Sequence, residues 1–353
     1  MSASDRAPLP ELDLLEARAR GRRTSLVSLE HLNVNVPSWS ADCEAFWFQG
    51  LGFARDSRAA TICGNVNNAG GTMKGLVWAN AGLQQVHMPV GEPEPYASQC
   101  PPGVMGLAYA DVTALKNSLT ASGVPFSELP SQAEEEEEGL LTESGLAPAQ
   151  IELSSPTGVR LRVHRITAGT LGWLTPNGWQ DPVVAAEQGV GLPGDRPSLC
   201  LGIPYIRLLC PASTAAGLCR LYAAVFGTEA TLCTGGSGVE CWVPIGAHQW
   251  LVYEEVPTGQ AVPYDGYHVA IYINGFVEAY RQAQSLGLVW NNPRFPHLRY
   301  DSLDEAVGHS EFRILRLVDP ANGQELISME HEVRALSHPG FSYSLPKSSL
   351  KQQ

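Results

Sequence analysis

His31 heads the polar face of an alternating stretch, Leu29-Glu30-His31-Leu32-Asn33-Val34-Asn35-Val36-Pro37. Leu32, Val34 and Val36 point one way, while His31, Asn33 and Asn35 point the other. That period of two marks a strand with one apolar and one polar face. An imidazole there can be a hydrogen-bonded surface group, a metal ligand or a proton carrier. The pattern alone is also that of an ordinary solvent face. His87 closes a second strand-like run, Leu83-Gln84-Gln85-Val86-His87, and His268 follows Gly266-Tyr267 at the start of an apolar one. Glu330 lies in the last such run, Glu325 to Val333.

Repetition sets these residues apart. After the first strand comes a helical pattern, Ser38 to Gln49, stopped at Gly50-Leu51-Gly52, then strands around Phe53–Arg55, Gly75–Asn80 and Leu83–Met88. Ala81-Gly82 reads as a tight hairpin connection. A second unit opens at Gly103–Asp111, with a helix from Val112 closed by Gly123, and ends in strands turned at Ser155-Pro156-Thr157-Gly158. A third opens at Ile203–Pro211, with a helix Thr214–Phe226 ended by Gly227 and strands Gly238–Val243 and Gln249–Glu254. A fourth opens at Gly266–Asn274, with a helix Phe276–Leu286 ended by Gly287. It continues through Val289-Trp290 and Phe312–Asp319, turns at Pro320–Gly323, and finishes at Glu325–Val333.

The 353 residues, 44% hydrophobic and 17% charged, suffice for two domains with real cores. The expected organisation is a leader over 1–25, a first domain over 26–165, a linker over 166–199, a second domain over 200–333 and a tail over 334–353. The tail after His338 is expected to be loosely held. Glu134 to Glu138, five acids in a row, reads as a solvated loop. No apolar run reaches membrane-spanning length, and the N-terminus lacks the apolar core of a secretory signal, so the expected location is the cytoplasm. A net charge of −13 argues against nucleic acid and anionic membranes as partners. None of the eight cysteines forms a CxxC pair, so they read as free thiols in a reducing compartment without a zinc or redox role.

Four βαβββ units in series, with Ser/Asp-Pro-x-(x)-Gly before the last strand of the second and fourth, resemble the vicinal oxygen chelate superfamily. That group includes glyoxalase I, bleomycin resistance proteins and extradiol dioxygenases. The resemblance covers residues 26–333 and implies an α+β fold: two glyoxalase-like domains whose curved mixed sheets enclose clefts. It also implies one divalent metal ion (Zn, Ni, Fe, Mn or Co) that binds substrate oxygens. The matching places hold His31 and His87, with Gln85 on the same face, in unit one; Met105 and Arg162 in unit two; Tyr205 and Tyr253 in unit three; His268 and Glu330 in unit four. Glu325 and His331 are held in reserve, because family spacing after the turn glycine would land on Ile327. Histidine and glutamate suit such a cation, whereas Met, Arg and Tyr do not. If neighbours pair, each cleft has only two good ligands. If unit one pairs with four and two with three, His31, His87, His268 and Glu330 meet at one point and Arg162 is left in the other cleft.

The function so implied is a metal-dependent enzyme acting on a small oxygen-bearing molecule by isomerase, epimerase or lyase chemistry. The metal would act as a Lewis acid, and Glu330 or His87 would move the proton. Gln85, Asn33 and Arg162 are the substrate-binding candidates, and the polar segment Asn291–Ser310 is a candidate lid. His297 and His309 read as loop residues within it. The rival reading is a metal-free protein that sequesters a small ligand. Either would act as a monomer or a homodimer.

Overall fold

A computed structural model describes residues 17–18, 21–56, 59, 75–130, 141, 145–166, 173–175, 178–180, 198–235, 238–257, 259–260 and 263–341. The acidic run, most of the leader and linker, and the last residues of the tail lie outside that set. Unit one contains β1 (Leu26–Asn33), α1 (Ala41–Glu44, winding on as a wider π-helical turn over Ala45–Gly50), β2 (Ala54–Arg55), β3 (Gly75–Ala81) and β4 (Gln84–Val90). Unit two contains β5 (Gly103–Tyr109), α2 (Val112–Ala121), β6 (Ser127–Glu128), β7 (Leu146–Ser154) and β8 (Arg160–Ile166). A short hairpin follows, β9 (Trp173–Thr175) and β10 (Gly178–Gln180). Unit three contains β11 (Tyr205–Pro211), α3 (Ala215–Phe226), β12 (Thr231–Gly235), β13 (Gly238–Ile245) and β14 (Gln249–Val256). Unit four contains β15 (His268–Ile273), α4 (Phe276–Ser285), α5 (Leu303–His309), β16 (Glu311–Val318) and β17 (Glu325–Ala335). No helix among the described residues is long and apolar enough to cross a membrane.

The local signals act as their chemistry dictates. The Ser40 side chain accepts from the Cys43 N–H and caps α1, and Asp111 caps α2 by accepting from Ala114. Gly227 ends α3 in the left-handed conformation, φ 58°. Gly82 turns the β3–β4 hairpin at φ 61°, where a Cβ would lie 2.0 Å from the Leu201 carbonyl oxygen. Val289-Trp290 does not build a full strand: Val289 makes only an isolated bridge to Ile314, and the chain then leaves the sheet to form the segment around α5.

Two mixed sheets result. The first runs β16-β17-β15-β1-β4-β3-β2, and the second β12-β13-β14-β11-β5-β8-β7-β6. Antiparallel pairing of β1 with β15 joins unit one to unit four, and pairing of β5 with β11 joins two to three. Each sheet thus takes strands from both halves of the chain. One apolar cluster runs through both sheets and the helices, with Leu32, Val86, Val269 and Met329 contributed by the first sheet and Leu107, Ile206 and Tyr253 by the second. In α3, Leu218, Leu221, Tyr222 and Val225 are buried at helical spacing. Each such side chain contributes about 1.5–3 kcal/mol of transfer free energy. The tail's Phe341 is also buried, its ring 4.7 Å from that of Tyr272, so the chain is held past His338. The burial of one face of β4, β1, β15 and β17 leaves the opposite face of those four strands to carry the polar residues.

Candidate metal centre

Register places the candidates in two rows across that polar face. One row reads Gln85, His31, Ala270, Glu332, and the next reads His87, Asn33, His268, Glu330. Ala270 offers only a methyl group between His31 and Glu332, so the longer side chains can lean over it towards His268. The Nε2 atoms of His31 and His268 lie 3.3 Å apart. His268 Nε2 is 3.2 Å from a Glu332 oxygen. One ligand atom from each of His31, His268 and Glu332 falls within 4.8 Å of the others, and all three residues are buried.

Protonation follows from the neighbours. His31 Nδ1 is 2.8 Å from the Glu30 carboxylate and donates to it, which leaves the Nε2 lone pair facing His268. Glu30 and His31 are consecutive, yet both reach this side, because the β1–β15 register slips between Leu29 and His31. Burial, reinforced by Arg334, lowers the His31 pKa well below its ordinary value, so the ring is neutral. His268 Nδ1 is buried without a hydrogen-bond partner. Two imidazole nitrogens and a carboxylate oxygen converge there, and one buried nitrogen is left over. That donor set suits a divalent first-row cation. The arrangement Glu30–His31 also repeats the carboxylate–histidine support common behind metal ligands.

Charge completes the picture. Arg313 pairs with Glu311 at 2.9 Å, with Glu332 at 2.7 Å and with Glu330. Arg334 pairs with Glu30 at 2.5 Å and with Glu332. Burial pushes the Glu332 carboxyl up, but Arg313 and Arg334 outweigh it and hold the group well below the usual carboxylate range. Burial and the charge of Glu332 raise Glu311 to about 7. Four carboxylates (Glu30, Glu311, Glu330, Glu332) face two guanidiniums in this connected set, a formal excess that one divalent cation would balance.

The other expected residues sit around the trio. His87 is sandwiched between the rings of His31 (centroids 3.7 Å apart) and Trp78 (4.4 Å), and its Nε2 donates to Gln85 Oε1 at 2.8 Å. Gln85 in turn donates to Asp56 at 3.0 Å, and Asn33 donates to Asn35 at 3.3 Å. Glu330 lies beside the trio, not within it. It accepts from Asn292 at 3.0 Å on both oxygens and from Tyr264 at 3.4 Å, besides Arg313. Glu325 is exposed, with Arg316 3.8 Å away. His331 lies on the opposite face, its Nε2 2.6 Å from Tyr222 Oη, and burial lowers its pKa to about 4. Arg162 is in the other sheet and donates to Glu152 at 3.0 Å. The four residues expected together there do not meet: Met105 and Tyr253 belong to the main core, while Tyr205 packs with Trp242 and Trp250 on the other side of the sheet.

Sequence reasoning missed Glu332, Glu30, Arg313, Arg334 and Asn292. Glu332 continues the Leu326–Ser328–Glu330 face and was available from the period of two. The segment Asn291–Ser310 contacts the charged groups beside the trio. Asn292 reaches Glu330, the Phe295 ring centroid is 4.9 Å from the Arg313 guanidinium carbon, and Tyr300 donates to Glu311. His297 and His309 are not in the trio.

No family model and no curated protein matches the sequence. Solved structures do match. A protein of Bacillus subtilis subsp. subtilis strain 168, described provisionally as a dioxygenase, is 13% identical over 94% of this chain and 91% of its own, with a TM-score of 0.53. Glyoxalase I from Zea mays is 11% identical over 91% of this chain and 95% of its own, with a TM-score of 0.49. A glyoxalase family protein from Bacillus anthracis, 14% identical, spans 40% of this chain and 95% of its own, with a TM-score of 0.29. The fold of this chain is that of the vicinal oxygen chelate superfamily.

Proposed function

We propose that the chain is a metal-dependent enzyme of this superfamily, acting on a small oxygen-bearing molecule. The observation that carries the proposal is the convergence of His31 Nε2, His268 Nε2 and Glu332 on one point of the first sheet. These three residues would hold a divalent cation, with His87 stacked behind His31 and Glu330 alongside. When bound, the cation supplies Lewis acidity towards substrate oxygens. The residues of the chain do the rest. Glu30 fixes the His31 tautomer, Arg313 and Arg334 keep Glu332 ionised, and Asn292 and Arg313 hold Glu330 in place. Glu330 and His87 are the proposed proton carriers, and Gln85 and Asn33 the proposed substrate contacts. Isomerase, epimerase or lyase chemistry is proposed on the strength of the resemblance. Action as a monomer or homodimer in the cytoplasm belongs to the same proposal.

A second reading, metal-free sequestration of a small ligand, is favoured by one observation: Glu332 is already engaged by two guanidiniums. Elemental analysis of purified protein, before and after incubation with Zn, Ni, Fe, Mn and Co salts, separates the two. Stoichiometric metal that is lost on His31→Ala, His268→Ala or Glu332→Gln supports the enzyme. No metal under any condition supports sequestration.

A further inference from the structure

Cys219 on α3 and Cys241 on β13 stand apart from the polar face of the first sheet, and no part of the proposed chemistry uses them. They are separated by more than twenty residues in sequence, and nothing in their local spacing marks them as a pair. The fold brings their sulfurs to 3.0 Å. That is about 1 Å more than a disulfide bond and inside the usual contact distance of two sulfur atoms. Cys219 is half-buried, while Cys241 is buried. We infer that Cys219 and Cys241 form a reversible dithiol–disulfide pair whose oxidant is a hydroperoxide.

The two thiols are suited to different roles. The hydrogen bond with Cys241 draws the Cys219 thiol down, against the upward push of burial, and the adjoining Arg220 guanidinium adds to the lowering. Arg220 is itself fixed by two hydrogen bonds to Asp319, at 2.9 and 2.6 Å. Burial raises Cys241 well above the ordinary thiol value. Cys219, the more exposed of the two, is the attacking thiol, and the buried Cys241 is the resolving one. The Cys219 thiolate attacks one peroxide oxygen, the O–O bond breaks, and the leaving oxygen departs as water or alcohol, giving a sulfenic acid. The Cys241 sulfur then attacks Cys219 Sγ; the S–S bond forms, the S–O bond breaks, and hydroxide leaves with the Cys241 proton as water. Two thiols are oxidised and one peroxide is reduced. The product ties α3 to β13. One turn along α3, Tyr222 holds His331, the residue between Glu330 and Glu332. The crosslink is therefore anchored to the back of the strand that carries the carboxylates.

The test is thiol mapping of the full chain. Reduced protein is treated with an equimolar amount of hydrogen peroxide, alkylated, digested and analysed by mass spectrometry. The expected result is a linked Cys219–Cys241 peptide that forms before sulfinic acid at either position and disappears with dithiothreitol. In Cys241→Ser, Cys219 should stop at a sulfenic acid that dimedone traps. If both thiols in the wild-type chain stay open to alkylation while the exposed Cys100 oxidises, exposure alone governs reactivity and the inference fails. It fails equally if Cys219 oxidises without linking to Cys241. The wild-type map decides the matter even where the serine variant does not fold.

Discussion

Replacing His268 by alanine separates a ligand from a structural histidine. The ring contributes one of three converging ligand atoms and makes few other commitments. Its Nδ1 has no hydrogen-bond partner, and Glu332, its carboxylate neighbour, keeps both Arg313 and Arg334. No buried charge is stranded by the change. The expected loss of fold stability is therefore that of a buried side chain at a polar face, about 1–3 kcal/mol. Metal affinity should suffer more. If about 10–16 kcal/mol of apparent binding free energy is shared among a complete ligand set, one ligand carries on the order of 3–4 kcal/mol, a few-hundred-fold in affinity. Plasma emission analysis and titration against a chelating indicator read the metal, and thermal unfolding reads the fold. His164→Ala is the control. His164 lies in the second sheet, bonded to Tyr205 at 2.9 Å and to the Ala147 carbonyl at 3.0 Å, so it should cost stability without touching metal content. Full metal occupancy in His268→Ala would refute the assignment of the trio.

Further expectations bear on the groups behind the trio and on the fold. Glu30→Gln should keep the chain folded but lower metal affinity about 10–100-fold, measured by the same titration, because the His31 tautomer is no longer fixed by a carboxylate. Glu332→Gln should abolish metal retention and lower stability by about 3–5 kcal/mol in denaturant unfolding, since two buried guanidiniums lose their shared partner. Burial raises the thiols of Cys200 and Cys210 to about 12. Their contribution is fully present below the unfolded value near 9 and is lost as pH rises towards 12, because only the unfolded thiols ionise in that window. Stability should fall there by about 4 kcal/mol per fully buried thiol at most, and Cys200→Ser should flatten the alkaline limb. Gly82→Ala should cost about 1–3 kcal/mol by thermal unfolding, since its φ of 61° and the Leu201 carbonyl both oppose a Cβ.

Much of the first sheet was legible because alternation is a strong local signal. The run around His31 fixed which side chains share a face, and the fourfold strand–helix–Gly order carried the fold. The preference for joining unit one to unit four came from counting good ligand types, and the β1–β15 ladder makes that join. The carboxylate was harder. Glu330 and Glu332 share a face, and only the β15–β17 register, with His268 opposite Glu330 and Ala270 opposite Glu332, shows which one can lean inward. Register between strands from one unit depends on a turn and a helix of variable length, which a single sequence does not specify. Glu30 was hidden for a different reason: strict alternation assigns it to the wrong face, and a register slip in the strand brings it round. The Cys219–Cys241 contact is purely tertiary and left no mark in the spacing.

The two sheets differ in how they fill the face opposite the main core. In the second sheet the face that holds Tyr205 is packed with Trp242, Trp250, Leu146 and Ile166. Gly106 lets the Tyr205 ring come so close that a Cβ there would lie 2.4 Å from it. Arg22, from the segment before β1, lays its guanidinium 4.0 Å from the Trp250 ring centroid and donates to the Ala247 carbonyl. The ion pairs on this face, Arg207 with Glu240 and Glu254, are one guanidinium facing two carboxylates, and no imidazole joins them among the contacts described. A face so filled gains its stability from apolar burial and aromatic contact, not from holding an ion. The first sheet makes the opposite choice. It buries histidines, carboxylates and guanidiniums together, at a desolvation cost that packing alone would not require. In a chain whose four units share one plan, the first sheet buries the larger such set, and that difference is what the proposed function would select.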